Sequence, residues 1–212
     1  MKYKHIIWDW NGTLVDDTWL FVDIMNGVLN DRKLNNITID DYRNVFDFPV
    51  QDYYRKLGFD FEDEPFESAG MDFIKIYDER KFEAPLFDDT LPTLNTLKKL
   101  GCNHSVLSAQ NIITLKKSVS HYDLDQMFQY ISGLEDHYAI GKIEQGKNLI
   151  NNLDVETDQV AMIGDTEHDH EVAEAMGVKC FLMDRGHNST SRLTSKQDDV
   201  FSSFTELLDS IS

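Results

Sequence analysis

Hydrophobic and polar positions change period several times along the chain, and the changes divide it into elements. The opening segment, KHIIWDW at 4–10, gathers Ile6, Ile7 and Trp8 into an uninterrupted apolar run, which predicts a short strand buried on both faces. From about Asp16 to Asp31 the apolar residues Trp19, Leu20, Val22, Met25 and Leu29 recur at helical spacing. Between about 39 and 81 come two or three more amphipathic helices, IDDYRNVF, PVQDYYRKLG and FESAGMDFIKIYDERK, and no convincing strand. The rhythm then switches. TLPTLNTLKKLG predicts a helix stopped by Gly101. NHSVLSAQN predicts a strand, IITLKKSVSHY a helix, MFQYISG a strand and KIEQGKNLINNL a helix. QVAMIGD predicts a strand, HDHEVAEAMG a helix, VKCFLMD a strand and FSSFTELLDSIS a final helix.

Strands alternating with helices predict an α/β fold, a doubly wound parallel sheet covered on both faces. The all-helical block after the first strand predicts an insertion. We therefore expect a core made of 1–15 and 85–212 and an α-helical cap spanning 16–84. In such sheets the ligand crevice lies beyond the carboxyl ends of the strands. The first strand ends at Asp9, followed by Asn11, Gly12 and Thr13. The second ends at Ser108, Lys142 opens a helix, and QVAMIGD ends at Asp165, with Asp169 four residues on. Taken singly, these residues read as turn formers, helix caps or a solvated lysine. A parallel sheet brings all of them to one end, and their joint occurrence there points to a site.

Composition narrows what that site does. Among 212 residues, 38 are acidic and 20 basic, a formal net charge of −18. Such a field repels nucleic acid and anionic membrane surfaces, so we expect neither as a partner. A small anion would need local cations to bind. No apolar run approaches the length of a membrane span, and MKYKHIIWDWNG has no secretory-signal pattern. The expected location is cytoplasmic, as a monomer or homodimer. Cys102 and Cys180 sit in apolar surroundings and read as buried thiols.

With these positions in place, the chain resembles the haloacid dehalogenase (HAD) superfamily, in particular its phosphoglycolate-phosphatase-like branch with a helical cap of the C1 type after the first strand. DWNGT is similar to the family's first motif, VLS to the second, Lys142 to the third and GDTEHD to the fourth. The resemblance spans about 4–185. It implies a HAD-like, Rossmann-like core and a Mg2+-dependent phosphatase acting on a small phosphorylated metabolite. It also implies residue roles. Asp9 would attack phosphorus and form an aspartyl-phosphate. Asp9, Asp165, Asp169 and the backbone carbonyl of Asn11 would surround the metal. Gly12, Thr13, Ser108 and Lys142 would hold the phosphoryl group.

Family phosphatases carry a second acid at the position of Asn11, which protonates the leaving group and then deprotonates the attacking water. An asparagine side chain has no proton to trade. General acid–base help is typically worth about 10²–10⁴-fold. Three readings follow: a slow phosphatase, or one that recruits another group such as His168; a phosphotransferase with a durable phospho-enzyme; or a phosphate-binding regulatory module with little turnover. A dehalogenase would not need the acid pair Asp165 and Asp169. A phosphonate hydrolase of the family would need a cap lysine, for which Lys33, Lys56, Lys75 and Lys81 have no recognisable context. The aromatic stretch FDFPVQDYYRKLGFDF reads as cap core. Arg55 or Lys56 could meet a substrate carboxylate, and hinges are expected near Asp16 and near Ala84-Pro85.

Overall fold

The structure is a computed structural model that describes residues 2–135, 141–197 and 199–211. Ser212, the end of the expected last helix, lies outside the described residues. Six parallel strands form one sheet: β1 (His5–Trp8), β2 (Asn103–Asn111), β3 (Tyr130–Leu134), β4 (Val160–Gly164), β5 (Lys179–Met183) and β6 (Val200–Phe201). Their order is β3-β2-β1-β4-β5-β6. β1 therefore lies between β2 and β4, where the strand order reverses. That reversal opens a crevice at the carboxyl end of β1, and Asp9 is the next residue.

The apolar run at 6–8 explains the layering. Side chains alternate faces along a strand, and Ile6 and Trp8 join one hydrophobic cluster while Ile7 joins another. On the first face pack α5 (Thr90–Lys99), α6 (Ile112–His121) and α10 (Phe204–Ile211), through residues such as Leu94, Leu115 and Phe204. On the second pack α7 (Lys142–Asn151) and α8 (Glu167–Met176), through Leu149, Val172 and Met176. Both cysteines are buried and free, and burial raises the Cys102 thiol to about 12.

Two histidines sit inside this core without carrying charge. The Trp8 indole N–H donates to His104 Nδ1 at 3.1 Å, and His104 Nε2 lies 3.2 Å from the Leu94 carbonyl. That pairing suits a neutral ring protonated at Nε2, and burial lowers His104 to about 4. His5 beside Ser105 is lowered to about 4 by burial as well.

The inserted helices are α1 (Thr18–Asp31), α2 (Ile39–Val45), α3 (Val50–Lys56) and α4 (Phe66–Arg80). They enclose a separate cluster that includes Met25, Tyr42, Tyr53, Tyr54 and Ala69. The two chain crossings beside them are paired: Asp16 N–H donates to Pro85 O at 2.9 Å and Val15 bridges Leu86. At the far side, α2 is tied to the loop after β5. Arg43 donates to the carbonyls of Gly186 at 2.8 Å and Arg185 at 2.7 Å, and Asn188 donates to Phe46 O at 3.2 Å. A short helix, α9 (Thr190–Thr194), follows that loop. No described helix is long and apolar enough to cross a membrane.

Candidate active site

Asp9, Asp165 and Asp169 meet at the crevice, each offering an oxygen within 4.8 Å of the others. Each is delivered differently. Asp9 follows β1 and its N–H donates to Ile163 O of β4 at 2.8 Å. Asp165 follows β4 directly. Asp169 lies in the first turn of α8, where Thr166 is the N-cap and the two residues form a capping box. GDTEHD forms a helix cap, and that cap orients the Asp169 carboxylate. Asp169 Oδ2 accepts the N–H groups of Asp165 (3.1 Å) and Thr166 (3.0 Å) and the Thr166 hydroxyl (2.7 Å).

Lys142, the first residue of α7, is buried among these acids. Its ammonium donates to Asp9 Oδ1 at 2.5 Å and to Asp169 Oδ1 at 2.6 Å. Burial works against the ammonium, yet Asp169 and Asp9 more than offset it and raise its pKa. Burial would raise Asp169, but Lys142 and the Thr166 contacts bring it below the ordinary carboxylate range. Asp9 is held well above that range by burial and by repulsion from Asp169 and Asp165, against the pull of Lys142. Burial lifts Asp165 to about 6, opposed by His187. With all three acids ionised, one ammonium leaves two net negative charges in the cluster. Lysine alone therefore does not reverse the sign of the site, and a divalent cation would bring it to neutrality. Three hard carboxylate oxygens suit magnesium or calcium, and the raised Asp9 and Asp165 are what a carboxylate cluster built for a cation shows without its charge.

The remaining expected residues divide. Ser108 is buried, lines the cavity and accepts the Gln110 N–H at 3.1 Å, which leaves its own proton to donate. Thr13, expected to contact phosphate, instead donates its hydroxyl to Asp165 Oδ1 at 2.9 Å. It steadies an acid rather than lining the cavity. Gly12, expected to let the backbone approach phosphate, has φ of 72°, and a Cβ there would come within 2.4 Å of Asp165 Oδ2 and 2.5 Å of the His187 ring. Its small size makes room for that acid.

Asn11 is pinned. Its amide donates to Asp17 Oδ2 at 2.5 Å and to the Tyr77 hydroxyl of α4 at 2.7 Å. Asp17 also accepts the Gly12 N–H at 2.9 Å.

His168 does not line the cavity. Its ring packs on Phe48 and its Nδ1 lies 3.2 Å from Glu171, so the expected substitute proton carrier is misplaced. The histidine at the site is His187, in the loop after β5. Its N–H donates to Asp165 Oδ2 at 2.6 Å, its Nδ1 is 2.8 Å from the Tyr42 hydroxyl, and its Nε2 is 3.3 Å from Asp17 Oδ1. Gly186 beside it is equally constrained, since a Cβ would sit 2.1 Å from Asp165 Oδ2. Gly186→Ala is thus expected to displace Asp165 and weaken any divalent-cation binding by the acid cluster about 10-fold or more, read by calorimetric titration; an unchanged affinity would count against Asp165 as a ligand.

Arg55 pairs with Asp52, Lys56 with Asp47 and Lys81 with Asp78, and none of these three, nor Lys33 or Lys75, lines the cavity. Neither Arg55 nor Lys56 is placed to meet a substrate carboxylate in the cavity, and among the described residues no cap lysine lines it.

Known proteins agree with this architecture. The chain is 24% identical over 184 residues to tyrosine-protein kinase PtkA of Mycobacterium tuberculosis, covering 86% of this chain but 62% of that relative. The chain thus spans under two thirds of that relative's length. It is 21% identical over 191 residues to phosphoglycolate phosphatase of Rhodobacter capsulatus, covering 87% of this chain and 86% of the relative. Its fold superposes with a TM-score of 0.85 on a haloacid dehalogenase-like hydrolase from Streptococcus pneumoniae, at 17% identity and covering 100% of this chain and 99% of the other. The model of the family described as haloacid dehalogenase-like hydrolase matches residues 6–183, and this chain belongs to that family.

Proposed function

We propose that the chain is a magnesium-dependent phosphatase for a small phosphorylated metabolite, working through an aspartyl-phosphate on Asp9. The observation that carries the reading is the placement of Asp9 at the strand-order reversal, beside Asp165 and bonded to Lys142. Phosphatases among the relatives support it.

Asp9 and Asp165 would hold the metal, with the Asn11 carbonyl completing the protein's share. Asp169, whose oxygens already take four hydrogen bonds, would act through a water. When bound, the divalent ion would neutralise the acids and stabilise charge on the transferring phosphoryl group. Lys142 and Ser108 then orient the phosphoryl oxygens. Asp9 attacks phosphorus in line with the ester oxygen, which leaves with the bonding pair. Water later displaces phosphate from Asp9. The helical cap would exclude bulk water during the first step, and the bonds from Arg43 to the loop after β5 would hold it closed.

The pH dependence of metal binding tests the acid cluster. Asp165 is raised from its unfolded value to about 6, so in the metal-free protein its contribution to stability is present below about pH 4 and lost as pH rises through about 6. A divalent ion reverses this by favouring the ionised form. Magnesium should therefore stabilise the fold little at pH 5 and strongly at pH 7.5, by about 2.7 kcal/mol at a hundredfold excess over Kd, read as a rise in Tm. His5 and His104 destabilise the fold toward acid with and without the metal, so the difference isolates the site. Equal stabilisation at both pH values would contradict the assignment.

A second reading, durable phospho-enzyme with transfer to an acceptor other than water, is favoured by Asn11. The hydrolytic step is the one most in need of a base, and the Asn11 amide is committed to Asp17 and Tyr77.

A further inference from the structure

The crevice continues upward from Asp9 into a cavity of about 190 Å³ between the sheet and the cap. Its upper wall includes Phe21, Phe48, Tyr53, Tyr54, Phe73 and Ile74. Among the described residues, Lys142 at the floor is the one lysine or arginine that lines it. The cap's cations are spent elsewhere: Arg32 on Glu64 and Asp72, Arg80 on Asp23 and Glu83, Arg43 on backbone carbonyls. Asp78 adds a carboxylate to the lining. A substrate carboxylate entering this wall would be stripped of water with no lysine or arginine there to meet it. An aromatic ring would meet edges and faces of other rings, a contact favourable beyond the area it buries. The volume includes the floor at Asp9 and Lys142, so it leaves room for no more than one ring above a phosphoryl group, benzene alone being accommodated by an apolar cavity of about 150 Å³. Among the described residues that line it, three carry a buried polar atom without a hydrogen-bond partner: the Tyr53 hydroxyl, Gln110 Oε1 and His187 Nε2, the last facing Asp17. An uncharged polar group on the ligand would satisfy one of them.

We propose, resting on the phosphatase reading above, that the substrate is a monophosphate ester of an uncharged single-ring phenol, with the ring in the aromatic cavity and the phosphoryl group at Asp9. The identity of residue 11 supports the same class independently. With asparagine there, no group at that position can protonate the departing oxygen. A phenolate leaves readily, because its conjugate acid titrates near 10. An alkoxide, with a conjugate acid near that of water at about 15.7, needs a proton as it departs. In the balanced reaction an Asp9 oxygen bonds to phosphorus as the phosphorus–aryl-oxygen bond breaks. The phenolate takes the electron pair and is protonated by solvent. Water then breaks the Asp9–phosphorus bond, giving its proton to the released phosphate.

The test measures phosphate release by the full chain with magnesium from phenyl phosphate, benzyl phosphate and 2-phosphoglycolate. Inhibition by phenylphosphonate and phosphonoacetate, which have no leaving group, is measured alongside. The expected kcat/KM for phenyl phosphate exceeds that for 2-phosphoglycolate about 100-fold. Benzyl phosphate, whose alkoxide leaves less readily, should show a lower kcat/KM than phenyl phosphate and accumulate less phospho-enzyme. Phenylphosphonate should inhibit at about 10-fold lower concentration than phosphonoacetate. Ile74→Lys, or Val50→Lys should that variant not fold, should narrow the phosphonate preference at least 10-fold by placing a cation in the cavity lining. Turnover dominated by 2-phosphoglycolate, or tighter binding of phosphonoacetate, would overturn the aryl assignment while leaving the phosphatase intact. No turnover of any ester, with no phosphoryl label on Asp9, would overturn the phosphatase reading and this assignment with it.

Discussion

Asp9→Asn is expected to lower phosphate release by about 10⁴-fold or more, the scale on which removal of a catalytic nucleophile acts, while leaving the fold intact. An amide oxygen is a poor nucleophile and carries no charge toward a metal. The stability readout moves the other way. Asp9 is buried among like charges and held well above the ordinary carboxylate range by that burial and repulsion. Neutralising it relieves the repulsion, and Lys142 keeps its bond to Asp169. The metal-free variant should thus melt at the same temperature as the parent or higher near pH 7, and gain less from magnesium. Circular dichroism melts with and without magnesium check both statements. A variant that loses activity only because it unfolds would show a lower Tm, contrary to this expectation.

The second large effect is a gain. Asn11→Asp should raise kcat by about 10²-fold or more, within the range of general acid–base help, and more for alkyl than for aryl phosphates. The local geometry suits the change. The Asn11 amide now sits 2.5 Å from Asp17 Oδ2 and 2.7 Å from the Tyr77 hydroxyl. An aspartate there would face Asp17, and two carboxylates so close share a proton rather than both ionise. The new acid would arrive able to donate. An unchanged kcat for benzyl phosphate would mean that proton transfer at this site already has another carrier.

How far the sequence reading reached follows from what it could measure. Asp9 and Asp165 were legible because each follows a strand, Lys142 because it opens a helix and Asp169 because it sits in a helix's first turn, and a parallel sheet brings those places to one end; Ser108, expected to end β2, lies inside it, since the strand runs on to Asn111. The same logic applied to β5 would have led to Gly186 and His187. Nothing in the composition of the segment DRGHNST announces that a backbone N–H there holds Asp165. Thr13 and Gly12 were found, but their contact with Asp165 was not foreseen. Spacing says that they adjoin Asp9; only the packed structure aims Thr13 at Asp165. His168 illustrates the opposite error, since adjacency to Asp169 in a helix puts it on a different face, against Phe48. The cap aromatics were read as core, and Tyr53 and Tyr54 are core. They line the cavity as well, because a small helical layer has rings enough for one wall to serve both uses. The two-residue β6 and five-residue α9 are too short for any period to register.

The central claim, that Asp9 takes the phosphoryl group, is tested most directly by acid-quenching the magnesium-loaded protein during turnover of phenyl phosphate and mapping the phosphoryl mass increment by peptide mass spectrometry. The account predicts the increment on Asp9. Because Asn11 slows the hydrolytic step, the label should accumulate in the parent, shorten its lifetime in Asn11→Asp and be absent in Asp9→Asn. Phosphate release that continues with no label on Asp9, or with the label on another residue, would contradict it.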